Sequence, residues 1–263
     1  MTATIALQLY SVRDALSDDV DQTLGRVAAI GFTAVELYGL ARFGAQYETA
    51  LAAHGLTAPS VHAALVDADQ SAALDAAERL GVTTVIEPKT DPARWTDAAE
   101  IDRIAESLNA AAELADRRGM RVGYHNHDGE LLGRVPDRSG ADASAGAVAR
   151  ADTVTGLDHL VYRLDPRVVL EVDVYWAAVA GQDVAALLSR HASRVAFVHV
   201  KDGPLDGDVI GQRPAGEGDV PLAAALDAVP ELEFAVVEFD AYAGDVFEGI
   251  AVGRRFLTAR GLA

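Results

Sequence analysis

The sequence predicts an α/β fold in which eight strands and their helices close into a single (β/α)8 barrel over residues 1–263. Short apolar runs alternate with longer amphipathic stretches along the whole chain. No linker of biased composition interrupts them, and 263 residues suit one barrel better than two ordinary domains. The first run also lacks the following glycine-rich turn that is typical of an open, doubly wound sheet.

Eight apolar runs have the length expected of buried strands. Their predicted bounds are Thr4–Tyr10, Ala34–Leu37, Ala58–Ala63, Val82–Glu87, Met120–His125, Val168–Asp173, Val195–Val200 and Phe234–Phe239. Apolar residues at helical spacing predict the intervening helices, several of which stop at a glycine. The predicted helices are Asp18–Ile30, Gln46–His54, Ser71–Leu80, Thr96–Arg118 with Thr96 as its N-cap, a segment ending near Leu164, Val184–His191, Pro221–Ala228 and Val246–Ala259.

Two stretches are predicted to be long loops at the strand ends. The segment Gly129–Ala151 is polar and poor in large apolar residues, and the segment Leu205–Asp219 is rich in glycine.

Composition excludes several classes of function. The formal net charge is −18 and the pI is near 4.6, so the surface repels phosphate backbones and no nucleic-acid partner is expected. The chain contains no cysteine, which rules out disulfides, thiolate metal sites and cysteine nucleophiles. The mean hydropathy is +0.12, with no apolar run long enough for a membrane span and no basic leader, so we expect a cytoplasmic protein without a membrane partner.

Histidines and carboxylates at the ends of several predicted strands are the strongest functional signal. His125 and His127 share one face of an extended segment, where both can bind a metal or one can bind substrate. Asp173 ends an apolar run, so it is expected to be paired, to bind a metal or to cap the following helix. Glu171 has the same strand parity as Asp173 and is expected to point inward, deeper in the barrel.

The last two predicted strands also carry polar residues that can take part in chemistry. His199 and Lys201 share parity, so one strand presents both a metal ligand type and a cation suited to an oxyanion. Glu238 lies in an otherwise apolar strand, where burial favours proton transfer and a metal would keep it ionised. Asp240 is the weaker candidate for that role.

Further candidates for substrate contact lie near the same strand ends, and a purely structural role is the alternative for each. They are His62, His127, Trp176, which is able to form one wall of a sugar pocket, and Glu217 in the glycine-rich loop. The remaining histidines are predicted to lie at the surface, on helices or turns: His54, His159 and His191.

These motifs resemble the sugar phosphate isomerase/epimerase family, the xylose isomerase-like TIM barrels. The resemblance covers nearly the whole chain. It rests on Leu7–Arg13, Gly31–Leu37, Gly123–Asp128, Asp173–Trp176 with Ala180–Gly181, and His199–Asp202 with Gly216–Gly218.

The resemblance implies a divalent metal, Mn²⁺, Mg²⁺, Co²⁺ or Zn²⁺, at the mouth of the barrel. The family's usual ligands are a Glu, an Asp, a His and a Glu after strands five to eight, and Asp173, His199 and Glu238 match the last three. His125 stands where the first Glu is expected, which puts a two-glutamate epimerisation in doubt.

The implied activity is metal-dependent isomerisation or epimerisation of a ketose or keto-sugar through an enediolate. Glu238 or a histidine such as His125 would remove the proton, and Lys201 would stabilise the oxyanion. Expulsion of a β-substituent from the same enediolate would instead make the enzyme a dehydratase or a lyase on 3-keto-glycosides.

Two hypotheses from other classes remain. An endonuclease of abasic DNA shares the barrel, but it needs more metal ligands and a basic groove. A non-catalytic sugar-binding or partner subunit stays open because of the histidine in place of glutamate. A homo-oligomer is expected only from the family resemblance.

Overall fold

Eight parallel strands close into a barrel in the computed structural model, which describes residues 3–137 and 152–263. The barrel strands are β1 Thr4–Gln8, β2 Ala34–Leu37, β3 Thr57–His62, β4 Thr84–Glu87, β5 Arg121–His125, β8 Val168–Asp173, β9 Val195–Val200 and β10 Phe234–Val237. Each pairs with its neighbour in chain order, and β10 pairs with β1 to close the ring. A short antiparallel pair, β6 Arg134–Pro136 and β7 Thr153–Thr155, lies outside the barrel. The predicted (β/α)8 barrel is confirmed.

Helices follow the strands and pack around the ring. They are α1 Arg13–Asp18, α2 Val20–Ile30, α3 Leu40–His54, α4 Gln70–Arg79, α5 Ala98–Asp116, α6 Gly129–Leu132, α7 Gly156–Arg163, α8 Val174–Val179, α9 Val184–His191, α10 Leu222–Asp227 and α11 Val246–Ala259. Among the described residues, none of these helices combines the length and the apolar character needed to cross a bilayer.

Most of the predicted bounds agree with these elements within a few residues, and local capping explains several differences. Thr96 does not cap α5, because it ends a 3₁₀ turn over Pro92–Thr96 and the Asp97 side chain accepts the N–H of Ala99 instead. The predicted single helix over Asp18–Ile30 is preceded by a separate α1, and Asp19 caps α2 through the N–H of Gln22. The predicted loop Gly129–Ala151 contains α6 and β6 in its described part, and residues 138–151 lie outside the described residues.

The inward-facing side chains of the barrel form an apolar layer with a polar layer above it. The apolar layer consists of small or apolar side chains, which include Ala6, Ala34, Ile86, Phe197 and Val236. The residue two positions further along several of these strands is polar, because alternate side chains of a strand point to the same face. These polar residues are Gln8, Glu36, His199 and Glu238, and all four are buried. The register places them at neighbouring heights, as in the pairing of Gln8 with Glu36.

The glycine-rich segment after β9 is held by one buried carboxylate. Asp202 Oδ1 accepts the N–H groups of Gly203 and Val220, and its Oδ2 accepts those of Gly216 and Gly218. Four backbone donors are thereby satisfied at once, and an added Cβ at Gly218 would clash with Asp202. The predicted loop Leu205–Asp219 is therefore tied to the end of β9, and it contains only a 3₁₀ turn over Val209–Gly211.

Replacing Asp202 is expected to loosen this segment. Asp202→Ala leaves four N–H groups without their acceptor, and we expect it to lower the free energy of unfolding by about 2–4 kcal/mol, as for other buried charged hydrogen bonds. Urea unfolding followed by circular dichroism measures the change. Asp206→Ala, in the same loop but exposed, is the control. Equal stability of the two variants would contradict the assigned role of Asp202.

Candidate functional site

A pocket of about 450 Å³ opens at the carboxyl ends of the barrel strands. This is the end at which βα-loops build active sites in this architecture. Its wall combines aromatic rings, imidazoles and carboxylates, which is the mixture expected of a site for a small polar ligand. The lining residues are Tyr10, Tyr38, Gly39, His62, Pro88, Lys89, His125, His127, Trp176, Val209, Glu238 and Asp240.

The floor of the pocket contains four donor groups that we call the imidazole cluster: His62, His125, Glu171 and His199. Their ligand-type atoms all lie within 4.8 Å of one another. Glu171 is central, since its Oε2 lies 2.6 Å from His62 Nε2 and 2.9 Å from His125 Nδ1, and its Oε1 lies 3.1 Å from His199 Nε2. Glu171 therefore points inward beneath Asp173, as its parity in the strand predicts.

A second carboxylate, Glu36 on β2, closes one side of this cluster. Its Oε1 lies 2.8 Å from His199 Nε2 and accepts a hydrogen bond of 2.7 Å from Gln8 Nε2. Its Oε2 accepts one of 2.6 Å from Ser60 Oγ. Neighbouring strands β1 and β3 thus fix the orientation of Glu36, while His199 connects β2 to β9.

Above the imidazole cluster lies what we call the lysine cluster: Lys201, Asp173, Glu238 and Asp240. The Lys201 ammonium is 1% exposed and lies 2.8 Å from one oxygen of each of the three carboxylates. Gln212 supports the arrangement by donating to Asp240 Oδ2 and by accepting the Asp240 N–H. Buried charge of both signs is thereby paired, which removes most of the cost of burying it.

Asp173 has a structural role in addition to this ion pair. Its Oδ1 accepts the N–H of Trp176 and caps α8, while Oδ2 faces Lys201. The backbone N–H of Asp173 donates to Asn126 Oδ1, so the segment between the two histidines that follow β5 is linked to the end of β8.

The structure divides the four predicted metal ligands between the two clusters, with His199 common to both. Asp173, His199 and Glu238 have donor atoms that converge, whereas His125 converges with His62, Glu171 and His199. The predicted substrate contacts His62, His127 and Trp176 line the pocket. Glu217 is exposed on the glycine-rich loop and is absent from that lining.

Two predictions about histidines outside the site are wrong. His159 and His191 are buried rather than at the surface. His159 Nε2 lies 2.9 Å from Asp102 Oδ1, and His191 Nε2 lies 2.9 Å from Asp158 Oδ1, so a hydrogen bond to a neighbouring helix makes burial tolerable.

Several residues of the site carry too little signal to be assigned from the sequence. Glu36 and Gln8 are isolated polar residues within their strands, and their contacts depend on pairing between β1 and β2. Gln212 lies in a loop whose path the sequence does not specify. Strand parity is the usable signal, because Glu36 follows Ala34, whose side chain points into the barrel.

Burial and neighbouring charge shift the protonation of these groups. Burial, with the charge of His199, lowers the pKa of His125 to about 3, and burial with His125 and Lys201 lowers the pKa of His127 to about 2. Burial raises the pKa of Asp173 to about 6 although Lys201 opposes the shift. Burial disfavours the Lys201 cation, but its three carboxylates outweigh burial and raise its pKa well above the usual range. His125 and His127 are therefore neutral at pH 7.

The donor set suits a divalent metal. Imidazole nitrogens and carboxylate oxygens are the ligands of Zn²⁺, Co²⁺ and Mn²⁺ in proteins. Two buried atoms of the imidazole cluster, His125 Nδ1 and Glu171 Oε1, have no hydrogen-bond partner, as expected of atoms that can turn to an ion. The residues present therefore fit such a metal around His199.

Comparison with known proteins assigns the family. Residues 24–258 match the family described as xylose isomerase-like TIM barrel. The chain belongs to this family.

Similar members of the xylose isomerase-like family differ in reaction. A putative hydroxypyruvate isomerase of Streptomyces coelicolor is 27% identical over 215 residues, which cover 81% of this chain and 68% of that protein. An inosose dehydratase of Lactiplantibacillus plantarum is 33% identical over 113 residues, or 43% of this chain. The matched segment spans only 31% of that dehydratase.

Solved structures of the xylose isomerase-like family show the same fold at low identity. A sugar phosphate isomerase/epimerase from Parabacteroides distasonis has a TM-score of 0.79 at 22% identity and covers 98% of this chain and 94% of that chain. The IolI protein with a bound zinc atom has a TM-score of 0.66 at 12% identity, covering 99% and 97%.

Removing the buried ammonium is expected to destabilise the protein strongly. Lys201→Met leaves Asp173, Glu238 and Asp240 without their counter-ion, and loss of one partner of a buried ion pair costs about 3–5 kcal/mol. Thermal unfolding in the presence of EDTA measures the effect. The only other lysine of the chain, Lys89, is exposed. Lys89→Met is therefore the matched control and should unfold at the wild-type temperature. A stable Lys201→Met variant would contradict the charge pairing.

The neutral His127 predicts how stability depends on pH. Its pKa is near 6.5 in an unfolded chain and about 2 in the folded one, so below pH 6.5 only the unfolded state takes up the proton. Stability is thus lost as the pH falls, by about 2 kcal/mol at pH 5 from this residue. His127→Gln should lose less stability between pH 7.5 and pH 5 than the wild type in urea unfolding with EDTA. An identical loss in both would show that His127 is not held neutral.

Proposed function

We propose that this chain is a divalent-metal-dependent sugar isomerase or epimerase that acts on a ketose or keto-sugar through an enediolate. The observation that carries the proposal is the position of Glu238, a pocket-lining carboxylate within 2.8 Å of a buried ammonium and 2.6 Å of His199. A proton acceptor therefore lies in the wall of a pocket that suits a small sugar, with a cation and a potential metal ligand buried directly behind it.

Glu238 is the proposed proton acceptor at the carbon next to the substrate carbonyl. Burial favours its neutral form, but Lys201 and His199 outweigh burial and hold the pKa of Glu238 well below its usual range, so it is ionised and ready to accept. Proton uptake by Glu238 weakens its attraction for Lys201. The Lys201 ammonium is then available to stabilise the developing oxyanion.

His125 and His127 form another part of the pocket wall. Both are neutral, so each has one ring nitrogen that donates and one that accepts, which suits the orientation of sugar hydroxyls. Trp176 lies beside His127, with ring centroids 6.0 Å apart, and offers an apolar face for the sugar ring.

A divalent metal bound around His199 would supply Lewis-acid polarisation of the carbonyl and acidify the neighbouring C–H. From the family resemblance, the expected ligands are His125, Asp173, His199 and Glu238. Support for a metal comes from the convergent donor atoms and from the zinc in the IolI structure.

Dehydration is the second candidate reaction at this site. Inosose dehydratases are among the similar proteins, and the same enediolate expels a β-hydroxyl if a proton donor stands beside it. Glu238, once protonated, can serve as that donor.

Deuterium exchange tests the proposed function whichever product the enzyme forms. Hydroxypyruvate, D-allulose and inosose are incubated separately with metal-loaded enzyme in D₂O. We expect incorporation of deuterium next to the carbonyl of at least one compound by proton NMR, and Glu238→Gln should reduce its rate by about 10²–10⁴-fold. Loss of a hydroxyl with growth of an enone absorbance would identify dehydration.

His54→Gln is the control for this experiment, because His54 pairs with Asp21 between outer helices. It should exchange deuterium at the wild-type rate. Absence of exchange from all three compounds and a wider panel of keto-sugars would favour a sugar-binding subunit instead.

A further inference from the structure

Lys201 disfavours metal binding at Asp173 and Glu238, the two carboxylates that the family resemblance names as ligands. Asp173 Oδ2 and Glu238 Oε2 each lie 2.8 Å from the Lys201 ammonium, so these two expected ligands already share a buried cation. A divalent ion placed between them would be repelled by that ammonium at close range, in a region of low dielectric. Lys201 also has a third carboxylate partner, Asp240, which fixes it there.

The imidazole cluster has no such competing ammonium within its described contacts. We infer that the metal binds to His62, His125, Glu171 and His199, below the carboxylates that the family resemblance indicates. Three imidazoles and one carboxylate are ligand types that favour Zn²⁺ and Co²⁺ over Mg²⁺. Expansion to five ligands would leave a position for a substrate oxygen. The inference shares with the proposed function only the need for a metal near His199.

Contact geometry within the cluster supports this position. His125 Nδ1 lies 2.9 Å from Glu171 Oε2, and His199 Nε2 lies 3.1 Å from Glu171 Oε1. Neither His125 Nδ1 nor Glu171 Oε1 makes a hydrogen bond, although both are buried. Close donor atoms that are not directed at each other are expected where their lone pairs point to a common ion.

The surroundings of His199 supply the partner that a metal-bound histidine usually has. Its Nδ1 lies 2.6 Å from Glu238 Oε2, while its Nε2 lies 2.8 Å from Glu36 Oε1 and 3.1 Å from Glu171 Oε1. A carboxylate that accepts the second ring N–H fixes the tautomer and orientation of a ligating histidine. Glu238 then orients a ligand without being one, and it remains free to move a proton.

Access to the cluster is through the pocket itself. His62 and His125 line the pocket, whereas Glu171 and His199 are fully buried behind them. A metal in this position would therefore lie at the floor of the pocket, within reach of a substrate that enters from the mouth.

We call the site at His62, His125, Glu171 and His199 the inner position, and the site at Asp173, His199 and Glu238 the outer position. A count of the nitrogen ligands of the bound metal distinguishes the two positions without any activity measurement. The purified wild-type protein is stripped with chelator, loaded with one equivalent of Cu²⁺ and measured by pulsed electron paramagnetic resonance. The inner position predicts three coordinated imidazoles. A metal bound by Asp173, His199 and Glu238 predicts one coordinated imidazole, or two if His125 also binds it as the family resemblance implies. Either result would overturn the inference.

Variants give an independent readout by calorimetric titration with Zn²⁺. His62→Gln is expected to weaken binding by more than about tenfold, since even loss of an indirect partner has effects of that size. Asp173→Asn, which retains the helix cap, and the control His54→Gln should bind Zn²⁺ as the wild type does. Weakened binding in Asp173→Asn with unchanged binding in His62→Gln would place the metal at Asp173, His199 and Glu238, as would a count of one or two imidazoles.

Failure of this inference can be told from failure of the proposed function. One or two coordinated imidazoles together with deuterium exchange leave the enzyme assignment intact and move the metal to Asp173, His199 and Glu238, with or without His125. A protein that binds neither Cu²⁺ nor Zn²⁺ stoichiometrically contradicts the inner site outright, and exchange assays on the same sample then decide whether a metal-free reaction remains.

Discussion

The pairing of the buried Lys201 ammonium with three carboxylates is the interaction on which the rest of the site depends. A cation without water and without partners is strongly disfavoured in a barrel interior, and so is each of the carboxylates. Contacts of 2.8 Å with Asp173, Glu238 and Asp240 satisfy both requirements at once. These contacts also connect the ends of β8, β9 and β10. Because Lys201 must be paired, they fix the relative positions of the three strand ends.

Beneath this pairing the barrel contains a second set of titratable groups, and the two sets meet at His199. One ring nitrogen faces Glu238 and the other faces Glu36 and Glu171. The two sets are stacked because inward-facing positions recur every second residue along a strand. Glu171 and Asp173 on β8, and His199 and Lys201 at β9, each supply one group to the lower set and one to the upper. A single pattern of alternation thus gives the interior two layers of different chemistry.

Strand ends and parity are sufficient to predict the barrel and most of the residues at its mouth. The bounds of β2, β8, β9, α9 and α11 agree with the predicted ones, because a period of two or of 3.6 residues is a property of the local sequence. The partners of Lys201 cannot be predicted in the same way. Its pairing with Glu238 depends on the register between β9 and β10, and the contact of Gln212 with Asp240 depends on a loop held by Asp202. The ligand set implied by the family resemblance combines His125 with Asp173, His199 and Glu238. The sequence does not separate these residues into two clusters, because it gives the strand of a residue but not its height within the barrel.

In the proposed mechanism the two stacked sets of groups have different tasks: the lower one would hold a metal and the upper one would transfer a proton. Anomalous scattering from a crystal soaked in Zn²⁺ tests this division most directly. We expect one strong peak at ligand distance from His62, His125, Glu171 and His199, with Lys201 still in contact with Asp173 and Glu238. A peak bound by Asp173 and Glu238, with Lys201 displaced from them, would contradict it.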